Sequence, residues 1–177
     1  VMAEVRRTMP FIRGVTVSGG ECTLHQDFLV ELARLARSEG LNFLLDSNGS
    51  RDFSKDAELT AVIDGVMLDV KAWDEAEHIR LTDCSNRMVL RNLRFLTRAG
   101  KLEEVRTVVV PELMNAEVTV RSVCETLCAM NAQNVRYKLI RFRPMGVRAE
   151  YRNLAVPPET LMRKLEAAAH SMGIRNT

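Results

Sequence analysis

The sequence predicts an α/β fold built on a parallel sheet, from three observations. Five short apolar runs alternate with segments of helical hydrophobic period. The runs are too continuously apolar for strands with one solvent face, so helices must cover them. Their carboxyl ends carry glycines, carboxylates and basic residues, at the edge where parallel α/β folds bind ligands. Right-handed crossovers between such units build either an open doubly wound sheet or a partial barrel.

The 177 residues are 46% hydrophobic, enough for one compact domain over residues 1–177 with a sizeable core. No apolar run approaches the roughly 18 to 20 residues that span a bilayer, and Val1 to Pro10 contain no signal-peptide hydrophobic region. The expected setting is cytoplasmic, with no membrane partner. A net charge of +2 argues against a nucleic-acid partner, although 20 of the 25 basic residues are arginine, a side chain suited to carboxylate and phosphate. Four dispersed cysteines, Cys22, Cys84, Cys124 and Cys128, form no disulfide framework. Cys124 and Cys128 share a helical face with Val120 and Leu127 and read as buried structural thiols, since no second pair completes a tetrahedral site.

Gly14 to Ser18 is the first expected strand. Thr23 with Gln26 makes a capping box for a helix to Glu39, with Phe28, Leu32 and Leu35 inward and Gly40 as its stop. Asn42 to Asp46 is the second strand, Ser54 to Ala61 a helix, and Asp64 to Val70 the third strand. Asp74 with Glu77 caps a short helix. Ser85 then opens a longer one, with Val89, Leu93 and Leu96 inward, Arg87, Arg91, Arg94 and Arg98 outward, and Gly100 closing it. Val105 to Val110 is the fourth strand, Glu117 to Met130 a helix, and Val135 to Ile140 the fifth strand. Pro157 and Pro158 lead into a last helix with Leu161, Leu165, Ala168 and Met172 on one face, ended by Gly173.

The strand ends hold the candidate chemistry. Gly19 and Gly20 remove side-chain bulk where a ligand would meet backbone, and Glu21 offers an acceptor to an ammonium group; a plain βα turn uses the same residues. Neither a Walker loop nor a dinucleotide fingerprint is present. Asp46 and Asp69 end apolar strands, with Lys71 to balance their charge, and Ser47 and Asn48 either join that site or close a turn before Gly49. Arg141 and Arg143, two apart, share one side of an extended segment and suit a carboxylate or phosphate clamp, or lie in a solvated loop. His25, His78 and His170 form no metal cluster or triad, and no catalytic side chain is assigned.

The ordered motifs GVTVSGGE, LLDSNG, VMLDVK, VRTVVVPE and YKLIRFRPMG resemble the radical S-adenosylmethionine (SAM) activases of glycyl-radical enzymes, the family that activates pyruvate formate-lyase. The resemblance runs from about Phe11 to the end of the chain and implies a partial, open TIM-like radical SAM barrel. It places Gly19, Gly20 and Glu21 at the methionyl amino group of SAM, with Asp46, Ser47, Asp69, Lys71 and Arg143 around the rest of that cofactor, and Arg141, as the partner of Arg143 in the clamp, joins the cofactor-binding set. It further implies a monovalent-cation site at Asp46, Ser47, Met67 and Asp69. Arg143 stands where the pyruvate formate-lyase activase has a histidine.

The family's reaction uses SAM and a [4Fe–4S] cluster held by a C-x3-C-x2-C motif, with a flavodoxin-like or ferredoxin-like donor supplying the electron and a glycyl-radical enzyme receiving the radical. None of the four cysteines matches that motif, so no iron–sulfur ligand is assigned and no cluster is expected in this chain. The expectation is therefore a truncated radical SAM domain of five βα units, inactive in isolation, from an activase whose amino-terminal part holds the cluster. Two other readings remain: a SAM-binding or protein-interaction module without radical activity, and an unrelated α/β-barrel enzyme.

Overall fold

The computed structural model describes every residue from Val1 to Thr177. Strands β1 (Gly14–Val17), β2 (Asn42–Ser47), β3 (Gly65–Asp69), β4 (Leu102–Val109) and β5 (Arg136–Arg141) form one open sheet in chain order. All four neighbouring pairs are parallel. The helices are α1 (Met2–Thr8), α2 (Gln26–Ser38), α3 (Ala57–Val62), α4 (Glu75–Thr82), α5 (Arg87–Arg98), α6 (Ala116–Ala129) and α7 (Glu159–Ser171).

A chain that advances one strand at a time in the same direction, always through right-handed crossovers, lays its helices on one face of the sheet. The burial pattern follows this rule. Phe43, Leu45, Val66, Leu68, Val105, Thr107, Val109 and Tyr137 are buried under the helices. Their alternates Leu44, Asp46, Met67, Asp69, Arg106 and Val108 are only half-buried and line the uncovered face. The covered side holds one contiguous cluster of 35 buried residues. Even its polar groups are paired: the Tyr137 hydroxyl lies 3.0 Å from Thr107 Oγ1, and burial pushes that phenol upward from its ordinary pKa.

Tight turns set the strand order. Gly40, Gly100 and Gly173 each follow a helix with positive φ, the left-handed stop expected of them. Asp74 accepts from the Glu77 amide at 3.0 Å and so caps α4. The outer edge of β1 pairs with no strand. At the opposite edge the Tyr137 amide donates to the Asn176 carbonyl at 2.8 Å, so the carboxyl-terminal tail occupies part of the β5 edge.

Several expected details differ. No capping box forms at Thr23; a 3₁₀ turn over Cys22–His25 precedes α2, and the Glu21 carboxylate caps it. That turn changes the phase of the helix, so α2 buries Leu29, Val30, Leu32, Ala33 and Ala36, while Phe28 and Leu35 remain about half exposed. In α7 the inward face is Met162, Leu165 and Ala169, with Ala168 exposed and Leu161 and Met172 only partly buried against the core. Strand β4 begins at Leu102, three residues earlier than the apolar run, because Glu103 and Glu104 extend it. Residues 2–8, read as no element in the sequence, form α1.

Candidate functional site

The β1 run ends at Val17 and turns through Gly19 at φ 97° and Gly20 at φ 50°, a backbone that L side chains rarely adopt. A β carbon at either position would meet nothing within 4 Å, so the backbone here is open to an approaching ligand. Glu21 points back into the protein. Its carboxylate accepts from the Thr23 amide (3.2 Å), the Thr23 hydroxyl (2.6 Å), the Ser47 hydroxyl (2.9 Å) and the Asn48 amide (2.7 Å). One carboxylate thus caps the 3₁₀ turn and pins the end of β1 to the end of β2.

Ser47 is buried on the helix-covered side, where its hydroxyl also accepts from the Gly49 amide at 3.0 Å. Asp46, one residue earlier, faces the open side. The sheet register sets Asp46 beside Met67 and Asp69 beside Arg106, so four polar or polarisable side chains from three strands meet on that face. Arg106 lies across β3. Its Nη1 donates to Asp46 Oδ2 at 2.8 Å, its Nη2 to Met67 Sδ at 2.9 Å and its Nε to Glu104 Oε1 at 2.7 Å. Burial pulls the guanidinium pKa down, and the hydrogen bonds to Asp46 and Glu104 outweigh it, leaving the net shift upward. Glu104 also stands 3.3 Å from Arg136 Nη1. Beside this chain of charges, Lys71 Nζ donates to Asp69 Oδ2 at 2.7 Å.

The two arginines of the fifth unit stand at and just beyond the end of β5, and both reach one groove beside the sheet. Arg141 bonds to Glu159 of α7, and Arg163 followed by Arg141 holds that carboxyl below its usual range. Arg143 is exposed and, with Arg141, Val108, Lys138, Ile140 and Val147, lines this groove of about 580 Å³ beside the uncovered face. The sequence therefore brings Asp46, Met67, Asp69 and Lys71 together, with Gly19 and Gly20 open at the neighbouring strand end. Glu21 and Ser47 support them from the covered side, and Arg141 bonds to helix α7.

Arg106 and Glu104 were not among the residues singled out from sequence. The signal was present: Glu104-x-Arg106 places two opposite charges at the strand period of two, inside a run otherwise read as apolar throughout.

SAM suits this donor set. Its sulfonium and ammonium call for carboxylates, its carboxylate for a basic group, and its close approach for bare backbone. Asp46, Asp69, Lys71, Arg106 and the Gly19–Gly20 turn supply these at one edge. A monovalent cation would meet the same two carboxylates, each of which faces a protein cation, Arg106 or Lys71. A cluster does not fit these residues. Cys22 is buried, its thiol pushed up to about 11 by burial and then by Glu21, and it donates to the Asp46 carbonyl at 3.3 Å. Cys124 is buried in α6 and pushed up to about 12, chiefly by burial; Cys84 is exposed; Cys128 donates to the Met172 carbonyl. No three metal-binding side chains gather anywhere in the chain.

Comparison with known proteins points the same way. The model of the radical SAM superfamily matches residues 1–121. A putative glycyl-radical enzyme activating enzyme of Haemophilus influenzae is 34% identical over 97% of this chain and 73% of its own length. The pyruvate formate-lyase-activating enzyme of Streptococcus mutans is 34% identical over 81% of the chain and 56% of its own length. The (2S)-3-sulfopropanediol dehydratase activating enzyme of Klebsiella oxytoca is 29% identical over 88% of the chain and spans twice the matched length, 50% of it being covered. In fold, the chain superposes with TM-score 0.77 on a crystal structure of a domain of pyruvate-formate lyase-activating enzyme from Bacteroides vulgatus, covering 93% of this chain and 97% of that one at 22% identity.

Proposed function

The chain belongs to the radical SAM superfamily, with relatives named as activating enzymes of glycyl-radical enzymes, and on that premise we propose that its uncovered strand ends bind SAM for glycyl-radical activation. The observation that carries the reading is the juxtaposition of Asp46, Arg106, Asp69 and Lys71 beside the open Gly19–Gly20 backbone. The cofactors supply the difficult step, one-electron cleavage of the sulfonium; the protein binds, orients and shields.

Each residue has a defined task. The Gly19 and Gly20 backbone approaches the amino-acid end of SAM, held in place by Glu21 through Ser47 and Asn48. Asp46 and Asp69 offer carboxylate oxygens to the sulfonium and ribose, while Lys71 and Arg106 keep the two carboxylates from repelling one another. Arg143, on the rim of the adjoining groove, provides a further donor. The whole protein's partners in this reading are a glycyl-radical enzyme as radical acceptor and a flavodoxin-like or ferredoxin-like electron donor, since reductive cleavage consumes one electron. A cytoplasmic setting belongs to the same reading, because its four cysteines are free thiols; no helix is long and apolar enough to cross a membrane.

Isothermal titration of SAM tests the assignment. Asp46→Asn and Lys71→Ala are each expected to weaken binding about tenfold, the scale of one charge-assisted hydrogen bond. Both variants binding SAM as the wild type does, with folding intact by circular dichroism, would defeat the assignment.

A further inference from the structure

We propose that Glu104 is a positioning residue that assigns Arg106 to Asp46. The ladder makes Asp69 the direct cross-strand neighbour of Arg106, whereas Asp46 lies one strand further away. Arg106 nevertheless bonds to Asp46, and Asp69 bonds to Lys71. The difference lies in Nε. Glu104 precedes Arg106 by two residues, so it shares the face, and its Oε1 takes the Nε proton at 2.7 Å. With Nε held there, the fork of the guanidinium extends across β3, Nη2 against Met67 Sδ and Nη1 on Asp46.

Glu104 is built for this task. Its side chain is only 7% exposed on a face that is otherwise half open, and Arg136 approaches its second oxygen at 3.3 Å. The result is an alternating chain, Asp46, Arg106, Glu104, Arg136, running across β2, β4 and β5. Without the Glu104 carboxylate the guanidinium is free to turn to the nearer Asp69 and compete with Lys71. Asp46 would then stand bare, and the charge pattern offered to the ligand would have to reorganise on binding.

The inference rests on the SAM reading of the same site, so its test has two arms that fail separately. The first is titration of SAM into the wild type, Glu104→Ala, Glu104→Gln, Arg106→Lys and the Glu104→Ala/Arg106→Lys double variant. Glu104→Ala is expected to weaken binding about five- to tenfold, and Glu104→Gln, whose amide oxygen still accepts from Nε, to stay within about twofold of wild type. In the Arg106→Lys background, which has no Nε donor, Glu104→Ala should cost nothing more. The second arm needs no ligand: in nitrogen-15 spectra of arginine side chains, the Arg106 Nε proton, assigned by its loss in Arg106→Lys, should be protected from exchange in wild type and Glu104→Gln.

That protection should vanish in Glu104→Ala. Affinity unchanged in Glu104→Ala, or an equal loss in the Arg106→Lys background, would overturn the inference. So would an unprotected Nε proton in the wild type, an outcome that does not depend on Glu104→Ala folding. Protection lost in Glu104→Ala, in a protein whose wild type ignores SAM, would support the positioning role and sink the reading of the site instead.

Discussion

Cys22 shows how one residue links folding to the candidate site. Its thiol lies beneath the end of β2, donating to the Asp46 carbonyl at 3.3 Å, with the Glu21 carboxylate close by. Burial first, and Glu21 second, favour the neutral form, raising the thiol from 9.0 to about 11; burial likewise raises Cys124 to about 12. The sign follows from linkage. A folded-state pKa above the unfolded one means that the unfolded chain releases its proton first. The contribution is therefore full below 9.0 and lost as pH climbs through about 11 for Cys22 and about 12 for Cys124. Thermal unfolding at pH 8 and pH 10.5 should show alkaline destabilisation, and Cys22→Ala should reduce that slope. A slope unchanged in Cys22→Ala would remove Cys22 from the account. Alkylation offers a second view of the same difference: at pH 8 iodoacetamide should modify exposed Cys84 well before buried Cys22 or Cys124.

Among the elements, α5 does most to hold the β2 loop in place. Asn92, fully buried on that helix, donates to the Gly49 carbonyl at 2.9 Å and the Arg51 carbonyl at 2.5 Å, and accepts from the Phe53 amide at 3.1 Å. Asn92→Ala leaves all three backbone groups without partners, at a cost of about 3 kcal/mol. For a chain of this length that corresponds to a drop of roughly 8 °C in the unfolding midpoint. A midpoint within about 2 °C of wild type would show that water replaces the amide. The sequence did not reveal this residue, because an asparagine in a helix otherwise read from Val89, Leu93 and Leu96 gives no sign of which distant carbonyls it meets. What was legible had local causes. Apolar runs located all five strands, Gly40 and Gly100 the helix stops, and Asp74 the cap. What was not legible depended on phase and register: the 3₁₀ turn that rotates α2, and the ladder that brings Arg106 to Asp46. Asp46, Asp69 and Lys71 could be grouped from strand ends alone and Met67 only through the family resemblance, whereas Ser47 and Arg141 could not be assigned a face without the strand boundaries.

At the scale of the whole molecule, the sheet separates two kinds of chemistry. Its helix-covered face is a core in which every fully buried polar side-chain atom has a partner, and its open face carries the charge chain from Asp46 to Arg136. The cysteines are distributed without regard to that open face. Cys22 and Cys124 belong to the core, Cys128 bonds to the Met172 carbonyl, and Cys84 sits beyond the end of α4. A [4Fe–4S] cluster that leaves one iron for a ligand needs three thiolates converging on a single point, and thiols raised to about 11 and about 12 resist the deprotonation that ligation requires. Anaerobic reconstitution of these 177 residues with iron and sulfide is therefore expected to yield far less than one cluster per chain, while the SAM affinity proposed for Asp46, Lys71 and Arg106 is expected to persist. Measuring protein-bound iron and sulfide alongside SAM titration on the same folded sample separates the two properties. Stoichiometric cluster assembly would mean that the cysteines can converge in a way this fold does not hold them. Absence of SAM binding in that folded, cluster-free sample would count against the open face as a SAM site, as it would in the titration of the wild type.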